Sequence, residues 1–391
     1  MSFDPHRLTV ADVDGGPGAP SDVSGSDETT LDVEQSGGVA PAAQIIVYQA
    51  PNTDQGFFDA FASAIDGNMA DSISTSWGSW EWENNLANAP VTDPVSGKTF
   101  SFLKAAHELF VKAAVQGQSM VAAAGDQGAY DVFGEVDDNG VPIMPPNYTV
   151  PLSVDYPASD PAITAAGGTT LAGTQTNATS SGPFVIDIPE ERVWGWDYLV
   201  PLCNSLGLSP IDCGIYPAGG GGGVSVFFPR PWYQQTLAGV RRSEPQQVLI
   251  DEISVPPEIV FALPVHFSGR NVPDVSMNAD PNTGYVIYYT SDVSGFGIYP
   301  YFGGISFVAP QLNGVTALLD QNANHRLGVL NGALYLAAGL PGAYRGRRPP
   351  LHDITEGDNW FYSGRRGYSP AAGIGTLDVS NLAEVMSNYS W

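Results

Sequence analysis

Lysine is nearly absent. Lys98, Lys104 and Lys112 are the only three in 391 residues, and with arginine they make 15 basic side chains against 41 acidic ones. The formal net charge of −26 argues against nucleic acid, whose phosphates need a basic face, and against an anionic membrane surface. Cysteine is almost missing too: Cys203 and Cys213 stand ten positions apart in CNSLGLSPIDC. Two thiols cannot build a structural zinc site alone. They leave a local disulfide, which implies an oxidising compartment, or a pair of buried thiols. No run of about 18 apolar residues is present, so no transmembrane helix is expected. The opening MSFDPHRLTV has no hydrophobic signal core, and export would depend on a segment outside this chain.

What the chain does contain is a core. Hydrophobic residues make up 43% and charged ones only 14%, with 17 Phe, 17 Tyr and 8 Trp, which excludes a disordered acidic tail. The 45 Gly and 32 Pro predict many turns. Few lysines, many carboxyls and low charge density fit a protein adapted to acid, where protonation relieves self-repulsion. A halophile, or a merely acidic surface, is the plainer reading.

Residues 1–27 read as loop. A helix is expected over 28–38, capped by Ser26 or Asp27. AQIIVYQAP (43–51) reads as a buried strand and TDQGFFDAFASAI (53–65) as a helix capped by Thr53 or Asp54. SISTSW (72–77) and SMVAAAG (119–125) are further strands on either side of the amphipathic helix FSFLKAAHELFVKAAVQG (100–117). This alternation predicts an α/β fold, a mostly parallel sheet with helices on both faces and right-handed crossovers. AITAAGGT (162–169) and GYVIYY (284–289) look like strands, and 306–323 and 330–338 like helices. GGGGG (219–223) is a loop whose bare backbone can approach something closely. No composition break divides the chain, so residues 1–391 read as one domain.

Three places concentrate chemistry. Glu28 and Asp32 lie at i and i+4, sharing one helix face roughly 6 Å apart; a solvated face is the bland alternative. Asp126, in AAAGDQG, follows a strand of small residues, and ligands of open α/β sheets sit at the carboxyl ends of strands; it could equally be a turn residue. Ser306, in GGISFVAP, follows two glycines and opens a helix. There free N–H groups can stabilise an oxyanion, although an ordinary N-cap serine has the same appearance. A serine nucleophile needs a base. None of His6, His107, His266, His325 and His352 lies at a glycine-flanked strand end, which leaves carboxylates for that role.

At these motifs the sequence resembles the sedolisin family of serine-carboxyl peptidases, kumamolisin-like members in particular. The likeness runs in family order through ETTLDVEQSGGVAPAAQIIVYQAPNTDQGFFDA (28–60), SISTSWG (72–78), VAAAGDQG (121–128), VDYPASDPAITAAGGTTL (154–171), GGGVSVFFPRPWYQ (221–234), VPDVSMNADPNTGY (272–285) and FGGISFVAPQLNG (302–314). The resemblance implies a subtilisin-like fold and an acid-acting, secreted endopeptidase that cleaves polypeptides. In it, Ser306 would be the nucleophile, Glu28 the general base, Asp32 the partner of Glu28, and protonated Asp126 an oxyanion donor. Ser76, Trp77 and Gly78, with the Ala123–Ala124–Gly125 edge, would hold the peptide as an added strand.

Three departures qualify the likeness. Ile305 precedes the nucleophile where the family usually has Thr. The family's calcium site is altered: Asp353, the Ile354 carbonyl and Gly367 remain as candidate ligands. The carboxylate position, however, has become Ser369, with Arg365 and Arg366 beside it. Calcium is the one candidate cofactor, with Asp358 as a substitute ligand; an arginine paired with Asp353 or Asp358 would replace the ion. Finally, the family's propeptide and first catalytic-domain strand have no counterpart here, which predicts an exposed sheet edge. The rival reading is a catalytically silent scaffold or peptide-binding protein.

Overall fold

A computed structural model describes residues 7–83, 90–92, 99–179 and 182–387. Its centre is a parallel sheet of four strands: β3 (Ser72–Thr75), β4 (Ser119–Ala123), β5 (Thr164–Thr170) and β9 (Val275–Asn278), in that spatial order. The short β6 (Arg192–Val193) joins the far end of β5 antiparallel. A parallel sheet is covered on both sides, and β4 shows it by alternation. Val121 and Ala123 face the helices α5 (Ile305–Ala323), α6 (Asn331–Gly339) and α7 (Val379–Ser387). Met120 and Ala122 face α2 (Asp54–Gly67) and α3 (Phe102–Val115), through Phe61, Ile65, Leu103 and Phe110. The expected α/β architecture is therefore present. Among the described residues no helix is long and apolar enough to cross a membrane.

Helix α1 (Ser26–Val39) packs along α5, and the Ser36 hydroxyl donates to the Pro310 carbonyl at 3.1 Å. Neither expected cap is used: Gly25, in a left-handed conformation, sits at its N-cap. For α2 the expectation is met, since the Thr53 side chain accepts from the Gly56 N–H.

The stretch read as loop needs correction. Leu8–Asp12 forms β1, running parallel with β2 (Ile45–Gln49) from Leu8 opposite Ile45 to Asp12 opposite Gln49. The short run LTVAD is flanked by Pro and Gly, which masked it. Among the described residues, β2 pairs on one side with β1 and β3 pairs on one side with β4. Each therefore keeps one side with no strand paired to it among the described residues. Cys203, in the short helix α4 (Val200–Ser205), is bonded to Cys213, which settles the two thiols as a disulfide.

Outside the central sheet, β7 (Gly223–Pro229) pairs antiparallel with β8 (Gly269–Val272). The hairpin β10 (Tyr285–Ser291) and β11 (Gly295–Phe302) leads directly into α5.

Candidate active site

Helix α5 begins one residue earlier than the sequence suggested. Gly304, at φ 106°, is its N-cap, so Ser306 is the second helical residue and its hydroxyl is not spent on capping. A Cβ at position 304 would sit 2.7 Å from Asp126 Oδ2, so glycine is required both by the turn and by the neighbour. Asp126 Oδ1 accepts the Ile305 N–H at 2.7 Å. The next N–H, that of Ser306, has no carbonyl one turn back to receive it, and it lies beside the Asp126 carboxyl.

Asp126 is held from behind by the glycine run. Gly219 N–H donates to the Asp126 carbonyl at 3.0 Å, Gly221 N–H to Gly125 O at 2.8 Å, and Gly128 N–H to Gly219 O at 2.9 Å. The bare backbone expected at 219–223 thus buttresses the loop that carries this carboxyl.

On the other side stands α1. Glu28 stands near enough to Ser306 for that hydroxyl to act on its carboxyl, and Glu28 Oε1 is buried with no hydrogen-bond partner. Burial first, then the charge of Asp32, push Glu28 up to about 8, and the Ser306 hydroxyl pulls the other way. Asp32 acts on Glu28 through charge, while its own Oδ1 accepts the Ser76 hydroxyl at 2.6 Å. Burial raises Asp32 to about 7, opposed by that hydrogen bond. Ser76 Oγ also lies 3.3 Å from the Ser306 carbonyl, tying β3 to α5. Burial likewise lifts Asp126 to about 6, and the Ile305 N–H works against it.

Ser306 at the start of α5, Glu28 and Asp32 on α1, and Asp126 after β4 therefore converge. Among the described residues no histidine joins them: His107 is on α3, paired at 2.8 Å with buried Asp160 and packed against Phe228.

The expected peptide-binding residues divide. Ser76, Gly78 and Gly125 line a cleft of about 320 Å³ together with Ala123, Asp126 and Ser306. Trp77 walls an adjoining cleft with Gly25 and Glu28. Ala124 does not reach either; it is fully buried, and its N–H bonds the Ala166 carbonyl. Period-two alternation turns it into the core while Ala123 faces the cleft. Sequence reasoning overlooked Asp131, Glu135 and Asp155, which also line the first cleft; Asp155 stood in the quoted VDYPAS without a role.

The candidate calcium ligands form a poor cage. Asp353 Oδ1 accepts the Gly367 N–H at 2.8 Å, the Ser369 hydroxyl accepts from Ala372 N at 3.2 Å, and Asp358 Oδ1 accepts from Trp360 N at 2.8 Å. Among the described residues no group of three or more His, Cys, Asp or Glu side chains is placed to hold a metal. Of the ion pairs there, none joins Arg365 or Arg366 to Asp353 or Asp358. One carboxylate, already engaged by backbone, does not match the oxygen-rich shell of Ca²⁺.

The buried carboxyls fix the sign of the stability profile. Glu81, fully buried, accepts from Ser225 Oγ and the Val226 N–H, and burial raises it to about 7. With Glu28, Asp32 and Asp126 it binds protons in the folded state that the unfolded chain has already lost above pH about 4.5. The folded state then holds more protons, so stability falls as pH rises, between about 4 and 8. The unfolding midpoint in a thermal scan is expected to be highest in acid and to drop across that window, with Glu81→Gln softening the drop. A midpoint that rises from pH 4 to 8 would contradict this.

Comparison with known proteins follows the geometry. The subtilase family profile matches residues 19–200. Kumamolisin of Bacillus sp. (strain MN-32) is 33% identical over 384 residues, 95% of this chain and 53% of the relative. Sedolisin of Pseudomonas sp. (strain 101) is 28% identical over 377 residues, 94% and 50% respectively. Tripeptidyl-peptidase 1 of Homo sapiens is 27% identical over 74% of this chain and 40% of its own length. The chain thus spans about half the length of the first two relatives. The solved structure of Pseudomonas sedolisin (serine-carboxyl proteinase) with two molecules of pseudo-iodotyrostatin superposes with a TM-score of 0.64. It covers 98% of this chain and 85% of that one at 24% identity, a likeness of fold. One residue in three shared with kumamolisin across nearly the whole chain, on that fold, makes this protein a member of the sedolisin family.

Proposed function

We propose that the chain is a serine-carboxyl endopeptidase that hydrolyses polypeptides in acid through an acyl-enzyme at Ser306. The observation that carries the reading is the nearness of the Ser306 hydroxyl to the buried Glu28 carboxyl, with the Asp126 carboxyl bonded to the Ile305 N–H at the same helix terminus.

The chemistry runs as a proton circuit. Ser306 Oγ attacks the scissile carbonyl carbon as the ionised form of Glu28 takes the hydroxyl proton. Because burial raises both Glu28 and Asp32, that form is the minority in acid, and loss of a proton from the pair sets the acid limb of the rate. The developing oxyanion accepts from the Asp126 O–H and the Ser306 N–H; one such donor is worth about 3 kcal/mol of barrier. Glu28 returns the proton to the leaving nitrogen, the C–N bond breaks and an ester to Ser306 remains. Water then attacks that ester, giving its proton to Glu28, and Ser306 leaves with the proton restored. A neutral carboxyl can donate only while it keeps its proton, hence operation in acid. The disulfide supports a secreted setting.

The name of tripeptidyl-peptidase 1 describes release of tripeptides, so endopeptidase action needs a direct test. An internally quenched decapeptide, free or N-acetylated, is incubated at pH 4 and its products weighed. Internal cleavage of both forms is expected. Tripeptides from the free form alone would make the protein an exopeptidase, and no cleavage of either would make it a silent scaffold. We further propose that the fold stands without calcium: EDTA and millimolar CaCl₂ are expected to leave the unfolding midpoint within about 1 °C. A calcium-dependent rise of several degrees, the response expected of a ligand bound to the folded state alone, would overturn this.

A further inference from the structure

We propose that three adjoining arginine-bearing loops form a face that binds a glycan carrying sulfate or phosphate esters, and so holds the protein on an extracellular polymer. The face goes beyond the peptidase reading; only its preference for esters over carboxylates rests on action in acid.

The net charge of −26 hides where the few cations are. Seven of the chain's 15 basic residues stand exposed in three short stretches, and none of them lines either cleft. AYRGRRPP (343–350) holds Arg345, Arg347 and Arg348, and GRRG (364–367) holds Arg365 and Arg366. Arg241 and Arg242 follow the turn at Gly239. The stretches touch. The Leu351 N–H donates to the Ala343 carbonyl at 3.1 Å, and the Gly367 N–H to Asp353 Oδ1 at 2.8 Å, which sets the first loop against the second. Arg241 lies over the Tyr362 ring at 5.7 Å, and a Cβ on Gly239 would sit 2.2 Å from the Tyr368 carbonyl, so the third borders the second. Half-buried Arg230 donates to the Arg241 carbonyl, and burial, then the charge of Arg242, pull its guanidinium below the usual value.

In a chain with 41 acidic residues, arginines left without carboxylates are unexpected. Glu244 pairs with Arg241 and Glu384 with Arg348. Asp353 and Asp358 accept backbone N–H groups of Gly367 and Trp360, while Glu356 and His352 are exposed. None of the ion pairs among the described residues involves Arg242, Arg345, Arg347, Arg365 or Arg366. Such a local positive field attracts a polyanion whatever the sign of the whole molecule.

Guanidinium forks pair with the oxygens of sulfate and phosphate, and a polymer offers several such groups at once. These esters stay ionised in acid, where uronate carboxyls take up protons as Asp and Glu do. The Cys203–Cys213 disulfide favours an extracellular glycan over a nucleic acid.

Fluorescence anisotropy of labelled dextran sulfate, with labelled dextran as its neutral mate, reads binding at pH 4. Dextran sulfate alone should bind, and its affinity should fall at least about 10-fold between 50 and 200 mM NaCl. Poly(glycerol phosphate) in parallel tells which ester is preferred. Arg345→Glu with Arg347→Glu, and Arg365→Glu with Arg366→Glu, should each weaken binding by about 10-fold, and the milder Arg→Gln pairs by less. Lys104→Glu with Lys112→Glu makes the same charge change on exposed positions of α3 and should leave affinity within about 2-fold. All these variants should keep the parental turnover of a soluble peptide.

Binding of plain dextran, or equal weakening by the lysine pair, would overturn the face. Polygalacturonate bound as tightly as dextran sulfate at pH 4 would overturn its ester preference, and duplex DNA bound more tightly would overturn the glycan. Selective binding by a protein that cleaves no peptide would sink the peptidase reading and keep the face.

Discussion

Ser306→Ala is expected to reduce peptide hydrolysis about 10⁴- to 10⁶-fold while leaving the fold intact, because Ser306 is a half-exposed side chain at the helix terminus. Glu28→Gln should fall by about 10²- to 10⁴-fold, the usual worth of a positioned base. The amide preserves the volume, but it cannot take the proton. The two losses should not add: with the nucleophile gone, removing its base costs little more. Steady-state kcat/KM on one peptide at pH 4, for both single variants and the double, checks this. A Glu28→Gln variant with parental activity would show that another group activates the serine. His107→Ala is the control expected to retain turnover, since His107 lines neither cleft.

The second large effect lies in the pH profile and belongs to Asp126. Burial lifts its carboxyl to about 6, so in the free protein it keeps its proton, and can donate, up to that range. Above it the group becomes an anion facing the place where an oxyanion must form. The alkaline limb of kcat/KM should therefore fall near pH 6, and a bound substrate carbonyl, which accepts from the protonated form, should move the limb of kcat higher. Asp126→Asn places a donor there that does not titrate. It is expected to retain part of the activity and to shift the alkaline limb upward by a unit or more, whereas Asp126→Ala should lose about 10²- to 10³-fold at every pH. An Asn variant with an unmoved limb would assign the titration elsewhere, to Glu28 or Asp32.

Much of this site was legible because each group sits where sequence signals are strong. The apolar strands, the capped helix after Thr53 and the Gly-Gly before Ser306 locate the sheet and the nucleophile's helix. The colinear family motifs then select Glu28, Asp32 and Asp126. What escaped depends on tertiary context. LTVAD forms a strand because β2 offers it a partner, not because five residues between Pro and Gly demand it. Gly25 and Gly304 displaced the hydroxyl and carboxyl caps, because their conformations are left-handed or outside the usual regions. Ala123 and Ala124 are equivalent as letters, and the pleat alone decides which meets a ligand. The acidic wall joins positions 131, 135 and 155, which no short motif links, and the Asp353 loop closes on its own backbone where the family pattern suggested an ion.

Rapid acid quenching of the protein mixed at pH 4 with an acetyl-peptide p-nitrophenyl ester, followed by peptide mapping in a mass spectrometer, tests the central claim most directly. The account predicts an acyl group on the peptide that contains Ser306, formed in step with a burst of nitrophenol, absent from Ser306→Ala and at least 100-fold slower to appear in Glu28→Gln. Nitrophenol released without an adduct at Ser306, or an acyl group found on any other side chain, would contradict it.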